Sequence, residues 1–83
     1  MTLVYFAWVR QKIGIAQETF PAPPNVKTVQ DLIDHLQRRG GGYADVFADP
    51  ARLRAAVNQE HAPFDTALSP DDEVAFFPPV TGG

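Results

Sequence analysis

Residues 72–83 read DEVAFFPPVTGG, and the prediction of the fold starts from them. Glu73 to Phe77 is rich in apolar and aromatic residues, which indicates the last strand of a sheet. Pro78 and Pro79 end that strand, because neither can donate a hydrogen bond to a neighbouring strand. Residues 80–83 are therefore predicted to form an extended, flexible tail, and residues 1–79 to form the folded domain.

A second apolar segment, Thr2 to Arg10, is also predicted to be a strand. It is apolar on both faces, which is typical of a strand in the middle of a sheet, so we place it beside the last strand. Ile15 to Phe20 is predicted to pair with it as a hairpin, with Gly14 supplying the positive φ of the turn. One predicted face carries Leu3, Tyr5, Ala7 and Val9, and the other carries Val4, Phe6 and Trp8.

The middle of the chain carries one clear helical pattern. Thr28 is the predicted N-cap, and Gly40 to Gly42 are predicted to end the helix. The apolar residues recur at i, i+3, i+4 and i+7, which is the spacing of one helix face; they are Val29, Leu32, Ile33 and Leu36. Residues 43–48 are weakly patterned and predict one more helical turn.

Leu53 to Asn58 predicts a further strand, with a turn at Asn58-Gln59 and an irregular segment after it. The order of elements is then strand, strand, helix, strand, short segment, strand. An economical solution is an α+β fold in which one main helix packs across a mixed sheet of four or five strands.

Composition limits the classes of function. The chain has 83 residues, of which 45% are hydrophobic and 20% are charged, as expected for one globular domain. A net charge of −3 without a basic run disfavours nucleic-acid binding. There is no cysteine, so any sulfur that the protein handles cannot sit on a side-chain thiol. His35 and His61 are far apart in sequence and predict no metal site.

The longest apolar stretch, Leu3 to Val9, is too short to span a bilayer, which predicts no membrane partner. It also lacks the basic start and the small-residue cleavage site of a secretory signal. We therefore expect the protein in the cytoplasm.

Gly82 and Gly83 carry the strongest functional signal. Glycine has no side chain that could pack, and it loses the most conformational entropy when it is ordered. Two glycines at the end therefore suit a chain that enters a channel too narrow for a Cβ atom. Such an end could present its carboxylate to another protein's active site, after activation as an acyl-adenylate and conversion to a thiocarboxylate. The alternative is a frayed end. The preceding strand and the Pro-Pro stop favour the functional interpretation.

Three segments carry a family resemblance. EVAFFPPVTGG from Glu73 to Gly83, AAVNQE from Ala55 to Glu60, and the opening segment that ends in Val9-Arg10 resemble the small, sulfur-carrying subunits of molybdopterin synthase. The resemblance covers the whole chain, and its specificity lies mostly in the last eleven residues. The sequence departs from the common pattern at Gly40 to Gly42 and at Asp49-Pro50.

The resemblance implies a ubiquitin-like β-grasp fold and a carrier that is not an enzyme by itself. It implies that an enzyme related to ubiquitin activators uses ATP to adenylate Gly83, and that a sulfur donor then converts Gly83 to a thiocarboxylate. Val80, Thr81 and Gly82 would thread into the large synthase subunit, within a heterotetramer, where sulfur passes to cyclic pyranopterin monophosphate. No permanently bound cofactor is implied.

Successive side chains of a strand point to opposite faces of the sheet, and this alternation predicts a partner surface. If Val74 and Phe76 face the core, Phe77 faces outward, where Phe6 could join it in an exposed apolar patch for the large subunit. Arg10 and His61 are further candidates for this interface. The alternatives are a second small core under a loop for Phe77, and a solvated charge for Arg10.

Three other functions stay open at this point. The chain could be a related carrier for thiamin or another sulfur pathway, although such carriers are usually shorter and lack the Phe-Phe-Pro-Pro run. It could be a ubiquitin-like modifier of other proteins. It could also be a plain interaction domain with a frayed end, which deletion of the tail would distinguish from the others.

Overall fold

The structure is a computed structural model that describes residues 1–79. Its strands are β1 (Thr2–Tyr5), β2 (Gln17–Thr19), β3 (Arg54–Val57), β4 (Glu60–Ala62) and β5 (Glu73–Phe77). Its helices are α1 (Ala7–Ile13), α2 (Val29–Gln37) and α3 (Gly41–Phe47), and a 3₁₀ turn covers Pro50–Arg52. Within residues 1–79, no helix is long and apolar enough to cross a membrane.

The five strands form one sheet in the order β2-β1-β5-β3-β4. β1 and β5 are parallel at the centre, and the other neighbouring pairs are antiparallel. The helices supply the apolar residues that complete the core with the inner face of this sheet. This is the β-grasp arrangement, and the predicted α+β class and the central pair of first and last strands are confirmed.

The prediction of one strand from Thr2 to Arg10 is wrong in its second half. β1 ends at Tyr5, and the chain turns into α1 through Ala7, which has a φ of 54°. The Phe6 amide donates to the Phe76 carbonyl at 3.1 Å, and beyond Phe77 the neighbouring chain continues into prolines that cannot donate. The next bond of the parallel ladder would need an amide donor at position 78, and proline has none. Val9 is buried as predicted, but from a helix.

Helix α2 forms as predicted. Thr28 and Asp31 make a reciprocal capping box, in which the Thr28 hydroxyl accepts from the Asp31 amide and the Asp31 carboxylate accepts from the Thr28 amide. The predicted apolar face, Val29, Leu32, Ile33 and Leu36, is fully buried. The capping box fixes where α2 begins, and the four buried apolar residues fix which face of α2 packs on the sheet.

Helix α3 is longer than the single predicted turn, because Val46 and Phe47 are buried in the core. The Phe47 ring stands edge-on to Phe76 of the central strand, with 5.0 Å between centroids. At the other end of α3, Gly42 lies so close to α1 that a Cβ at this position would overlap the carbonyl oxygen of Lys12. Glycine at position 42 therefore allows α1 and α3 to pack together.

One carboxylate, Glu18 of β2, joins the sheet to the helices. It accepts hydrogen bonds from the hydroxyls of Tyr5 and Tyr43, and from the Arg39 guanidinium at 2.8 Å. Burial alone raises the pKa of the Glu18 carboxyl, but the three hydrogen bonds outweigh it and hold the pKa below its usual range. The ionised form is therefore the one that stabilises the fold.

We expect Glu18→Gln to lower the free energy of unfolding at pH 7 by about 2 kcal/mol, because an amide oxygen cannot accept all of these charge-assisted bonds. Since the folded pKa of Glu18 is lowered, its contribution is present above the unfolded pKa and is lost as pH falls through the folded value. Urea unfolding at several pH values measures both effects. Glu60→Gln, at an exposed position of β4, is the matched control. An equal loss in the control, or a loss that persists unchanged at acid pH, would contradict the prediction.

Candidate functional site

The last described residues follow the central strand of the sheet. β5 ends at Phe77, and the half-buried Pro78 and Pro79 come directly after it. Val80, Thr81, Gly82 and Gly83 lie outside the described residues. The flexible tail, the activated Gly83 and the threading role of the other three residues therefore stay predictions, and the described site is the surface beside the end of β5.

Beside the end of β5, the sheet has an outer face that points away from the apolar core. Val74 and Phe76 are fully buried in the core, whereas Phe77, the next residue of the strand, is only half-buried. This confirms the prediction that Val74 and Phe76 face the core and that Phe77 faces outward. We call the surface that Phe6, His61 and Phe77 form over the buried Ala56 and Ala75 the outer patch.

The outer patch has a floor of small residues between larger ones. Ala56 of β3 and Ala75 of β5 lie directly opposite each other in the sheet. His61 of β4 pairs with Ala56 and reaches across it to Phe77, whose ring it meets edge-on at 5.4 Å between centroids. The result is a shallow apolar surface with an imidazole on one side.

Phe6 completes the patch on the other side of β5. Tyr5 pairs with Phe76 in the parallel register, so Phe6 lies next to Phe77 where the two strands end. Its side chain is 51% exposed, although it is large and apolar. An exposed aromatic residue beside a second half-buried one is typical of a surface that another protein covers. Thus the structure brings together three of the four predicted interface residues, Phe6, His61 and Phe77.

The fourth predicted interface residue, Arg10, is not at the end of a strand. It is exposed on α1, and within residues 1–79 it makes no ion pair. Trp8 was predicted to share the outer face and instead lies on α1, where the Arg52 guanidinium covers its ring at 4.9 Å. Both differences follow from the early end of β1. His61 lies in strand β4, a strand that the sequence did not predict.

Arg54 is a residue of this surface that the sequence analysis missed. It lies directly opposite Phe77 in the antiparallel pair of β3 and β5, so its side chain leaves the sheet on the same face. Its guanidinium donates to the Leu53 carbonyl at 2.7 Å. The residue could be assigned to this surface only once the register of the two strands was known, and nothing local in the sequence indicates it.

The acidic cluster Asp71-Asp72-Glu73 has a structural role at the opposite end of β5. Asp72 accepts from the Ser69 amide at 2.7 Å and from the Asn58 side-chain amide at 3.0 Å, and the Ser69 bond lowers the pKa of Asp72. Asn58 in turn accepts from the Glu73 amide. These bonds hold two turns together at the start of the strand. Within residues 1–79, no group of three or more potential metal ligands comes together.

Comparison with known proteins agrees with this geometry. Residues 3–83 match the ThiS family. The chain is 41% identical over 81 residues to the molybdopterin synthase sulfur carrier subunit of Escherichia coli, and the match covers 98% of this chain and 96% of that protein. It is 32% identical over 83 residues to the protein of the same name from Haemophilus influenzae, covering 100% and 99%.

Among solved structures, the crystal structure of SAMP1 from Haloferax volcanii superposes with a TM-score of 0.73 at 25% identity, covering 100% of this chain and 98% of that one. The agreement spans the sheet, the helices and nearly the full length of both chains. The chain therefore belongs to the ThiS family, among the molybdopterin synthase sulfur carrier subunits.

Proposed function

We propose that this chain carries sulfur for molybdenum cofactor synthesis in the cytoplasm, as a thiocarboxylate at Gly83. The observation that carries the proposal is the position of β5. The central strand of a well-packed domain leads directly into PPVTGG, beside an exposed aromatic patch. A rigid body with a docking face and a thin chain end suits a protein that presents its own terminus to other proteins.

The chemistry begins with the Gly83 carboxylate, which is a poor electrophile. One of its oxygens attacks the α-phosphorus of ATP, which is bound by a separate adenylating enzyme, and pyrophosphate leaves. Sulfur delivered at the sulfide level by a donor then attacks the acyl carbon. AMP leaves with the original carboxylate oxygen, and the carbon keeps the sulfur as a thiocarboxylate. The carrier needs no permanently bound cofactor for these steps.

Delivery occurs on the large subunit of the synthase. The outer patch docks on this subunit while Val80, Thr81 and Gly82 pass into its active site, where a glycine avoids the width of a Cβ. Sulfur passes to cyclic pyranopterin monophosphate, water restores the carboxylate, and a second loaded carrier supplies the other dithiolene sulfur. The catalytic residues belong to the large subunit, and two carriers with two large subunits make a heterotetramer.

Intact mass spectrometry tests the proposal on the unmodified chain. Incubation with ATP, the adenylating enzyme and a sulfur donor should add the mass difference between sulfur and oxygen. Omission of ATP is the control, and it should leave the mass unchanged. A complete reaction in which the protein gains no mass would refute the proposal.

A further inference from the structure

Ile15 is a large apolar residue at the surface that takes no part in the core cluster. Within residues 1–79, two large apolar side chains are exposed, Phe6 at 51% and Ile15 at 42%. Phe6 belongs to the outer patch, whereas Ile15 lies in the connection between α1 and β2. One exposed isoleucine is ordinary on a protein surface, so its meaning depends on what lies beside it.

The register of β1 and β2 places Ile15 next to Phe6. Just beyond the paired residues of these two strands, the Tyr5 amide donates to the Ala16 carbonyl at 2.8 Å, as their antiparallel register requires. The backbone of Phe6 is still extended, with a φ of −124° and a ψ of 155°. The next step of the same register therefore sets Ile15 beside Phe6.

Ile15 also belongs to the outer face of the sheet. Phe20 is buried in the core, and Glu18 makes its hydrogen bonds on that same side. Because side chains alternate along an extended chain, Gln17 and Thr19 lie on the opposite side, and both are exposed. Counting back by one more step assigns Ile15 to the face of Gln17 and Thr19, which is the outer face.

Backbone hydrogen bonds hold both neighbours of Ile15. Gly14 ends α1 with a φ of 95°, and its amide donates to the Arg10 carbonyl at 2.8 Å. On the other side, the Ala16 carbonyl accepts from the Tyr5 amide. The exposed side chain of Ile15 is thus carried by an ordered stretch of backbone, which lowers the entropy that a partner must remove on docking.

We call Ile15, Phe6 and Phe77 the apolar row. Its members come from three neighbouring segments of the sheet, so the row is about 10 Å long. None of them is charged, and Arg54, opposite Phe77, bounds the row on one side. On the other side the row reaches the edge of the sheet at Ile15. Edges that face water usually carry charged residues or proline, so an apolar residue there suits an edge that a partner covers.

The outer patch by itself is smaller than the surface that a stable subunit contact needs. Each partner in such a contact buries about 800 Å² or more. Three partly buried rings supply less than about 600 Å². The apolar surface that adjoins the patch is that of Ile15, so the interface can continue there. A transient encounter needs less area, and the argument therefore selects a partner that stays bound.

We propose that Ile15 is part of the surface that binds the large subunit, which covers Phe6 and Ile15 together and extends over the edge of the sheet. This proposal rests on the proposed function, in which the carrier and the large subunit form a heterotetramer. Because the apolar row carries no charge, the facing surface of the large subunit should present aliphatic or aromatic side chains. The adenylating enzyme and a second copy of this chain are the alternative occupants.

Isothermal titration calorimetry with the large subunit tests the proposal. We expect Ile15→Ala to raise the Kd about tenfold, because it removes most of an apolar side chain from the contact. Thr19→Ala is the matched control, since it truncates another exposed β-branched residue of the outer face, at the opposite end of the sheet. Its Kd should stay within about twofold of wild type. Both positions are exposed, so urea unfolding should give nearly the same midpoint for each variant.

A second pair of variants separates apolar contact from backbone conformation. Ile15→Val and Ile15→Thr both keep a β-branched side chain, and the two new side chains have nearly the same shape. The valine variant keeps an apolar surface and should stay within about threefold of wild type in Kd. The threonine variant places a hydroxyl in the contact and should weaken binding about tenfold. Equal affinities of these two variants would overturn the proposal.

The affinity for the large subunit decides between the occupants. If Ile15→Ala binds it as wild type does, the proposal is overturned. Slower sulfur loading would then assign Ile15 to the adenylating enzyme, and dissociation of a wild-type dimer in sedimentation would assign it to a second copy. Equal weakening by Thr19→Ala would also overturn the proposal. If wild type binds the large subunit and gains sulfur while the Ile15 variants bind normally, only this proposal fails. If wild type neither binds the large subunit nor gains sulfur, the proposed function fails with it.

Discussion

Deleting Gly83, or adding one residue after it, should abolish sulfur loading while the domain stays folded and binds its partners. Deletion shortens the extended tail by about 3.5 Å, and a misplacement of about 1 Å can already cost about a hundredfold in rate. Extension converts the reactive carboxylate into an amide, which cannot attack ATP. Intact masses after incubation with ATP, the adenylating enzyme and a sulfur donor should show the gain in wild type alone.

Thr81→Ser is the matched control for the tail variants. It keeps the length of the tail, both glycines and the free carboxylate, so it should load sulfur as wild type does. Partner binding by each variant separates a lost reaction from lost docking. Equal loading of the deletion variant would contradict the assignment of Gly83 as the reactive residue.

Replacing Phe77 with alanine should weaken the complex with the large subunit by about 2 kcal/mol, or about thirtyfold in Kd. Phe77 is half-buried in the free protein and contacts His61 on the outer patch, so its loss removes a central aromatic anchor. Because it lies outside the core cluster, the free energy of unfolding should fall by less than about 1 kcal/mol. Isothermal titration calorimetry and urea unfolding measure the two effects.

The neighbouring residue supplies the control. Phe76 is fully buried, so Phe76→Ala should destabilise the domain by about 3–5 kcal/mol. Of these two adjacent phenylalanines, Phe77 would thus affect mainly partner binding, and Phe76 would affect mainly the stability of the fold. If Phe77→Ala unfolds the domain as Phe76→Ala does, Phe77 belongs to the core and the outer patch is not the docking face.

The predictable parts of the fold have local causes. Thr28 and Asp31 signal the start of α2, and the apolar stripe shows which face it buries. The end of β5 is visible because two prolines follow it, and the parity of Phe76 and Phe77 follows from strand geometry. These features depend on a few neighbouring residues, so the sequence alone was sufficient to predict them.

The features that escaped prediction depend on distant parts of the chain. β1 ends at Tyr5 because its neighbour β5 is followed by Pro78. Nothing in residues 2–10 themselves signals this end. Arg54 lies on the outer face of the sheet through its pairing with Phe77, 23 positions later in the chain. β4 is a three-residue edge strand whose polar sequence gives little strand signal. In each case pairing, not local propensity, decided the outcome.

The parallel pairing of β1 with β5 has a consequence for biosynthesis. Thr2 pairs with Glu73, so the central ladder joins residues 71 positions apart. A chain emerging from the ribosome cannot form this ladder until β5 has left the exit tunnel, and such long-range pairing is slow compared with helix formation. Gly83 follows β5 by only a few residues. Under the proposed function, the Gly83 carboxylate would therefore be released at almost the same moment as the strand that completes the sheet, so that competence for activation would be coupled to completion of the fold.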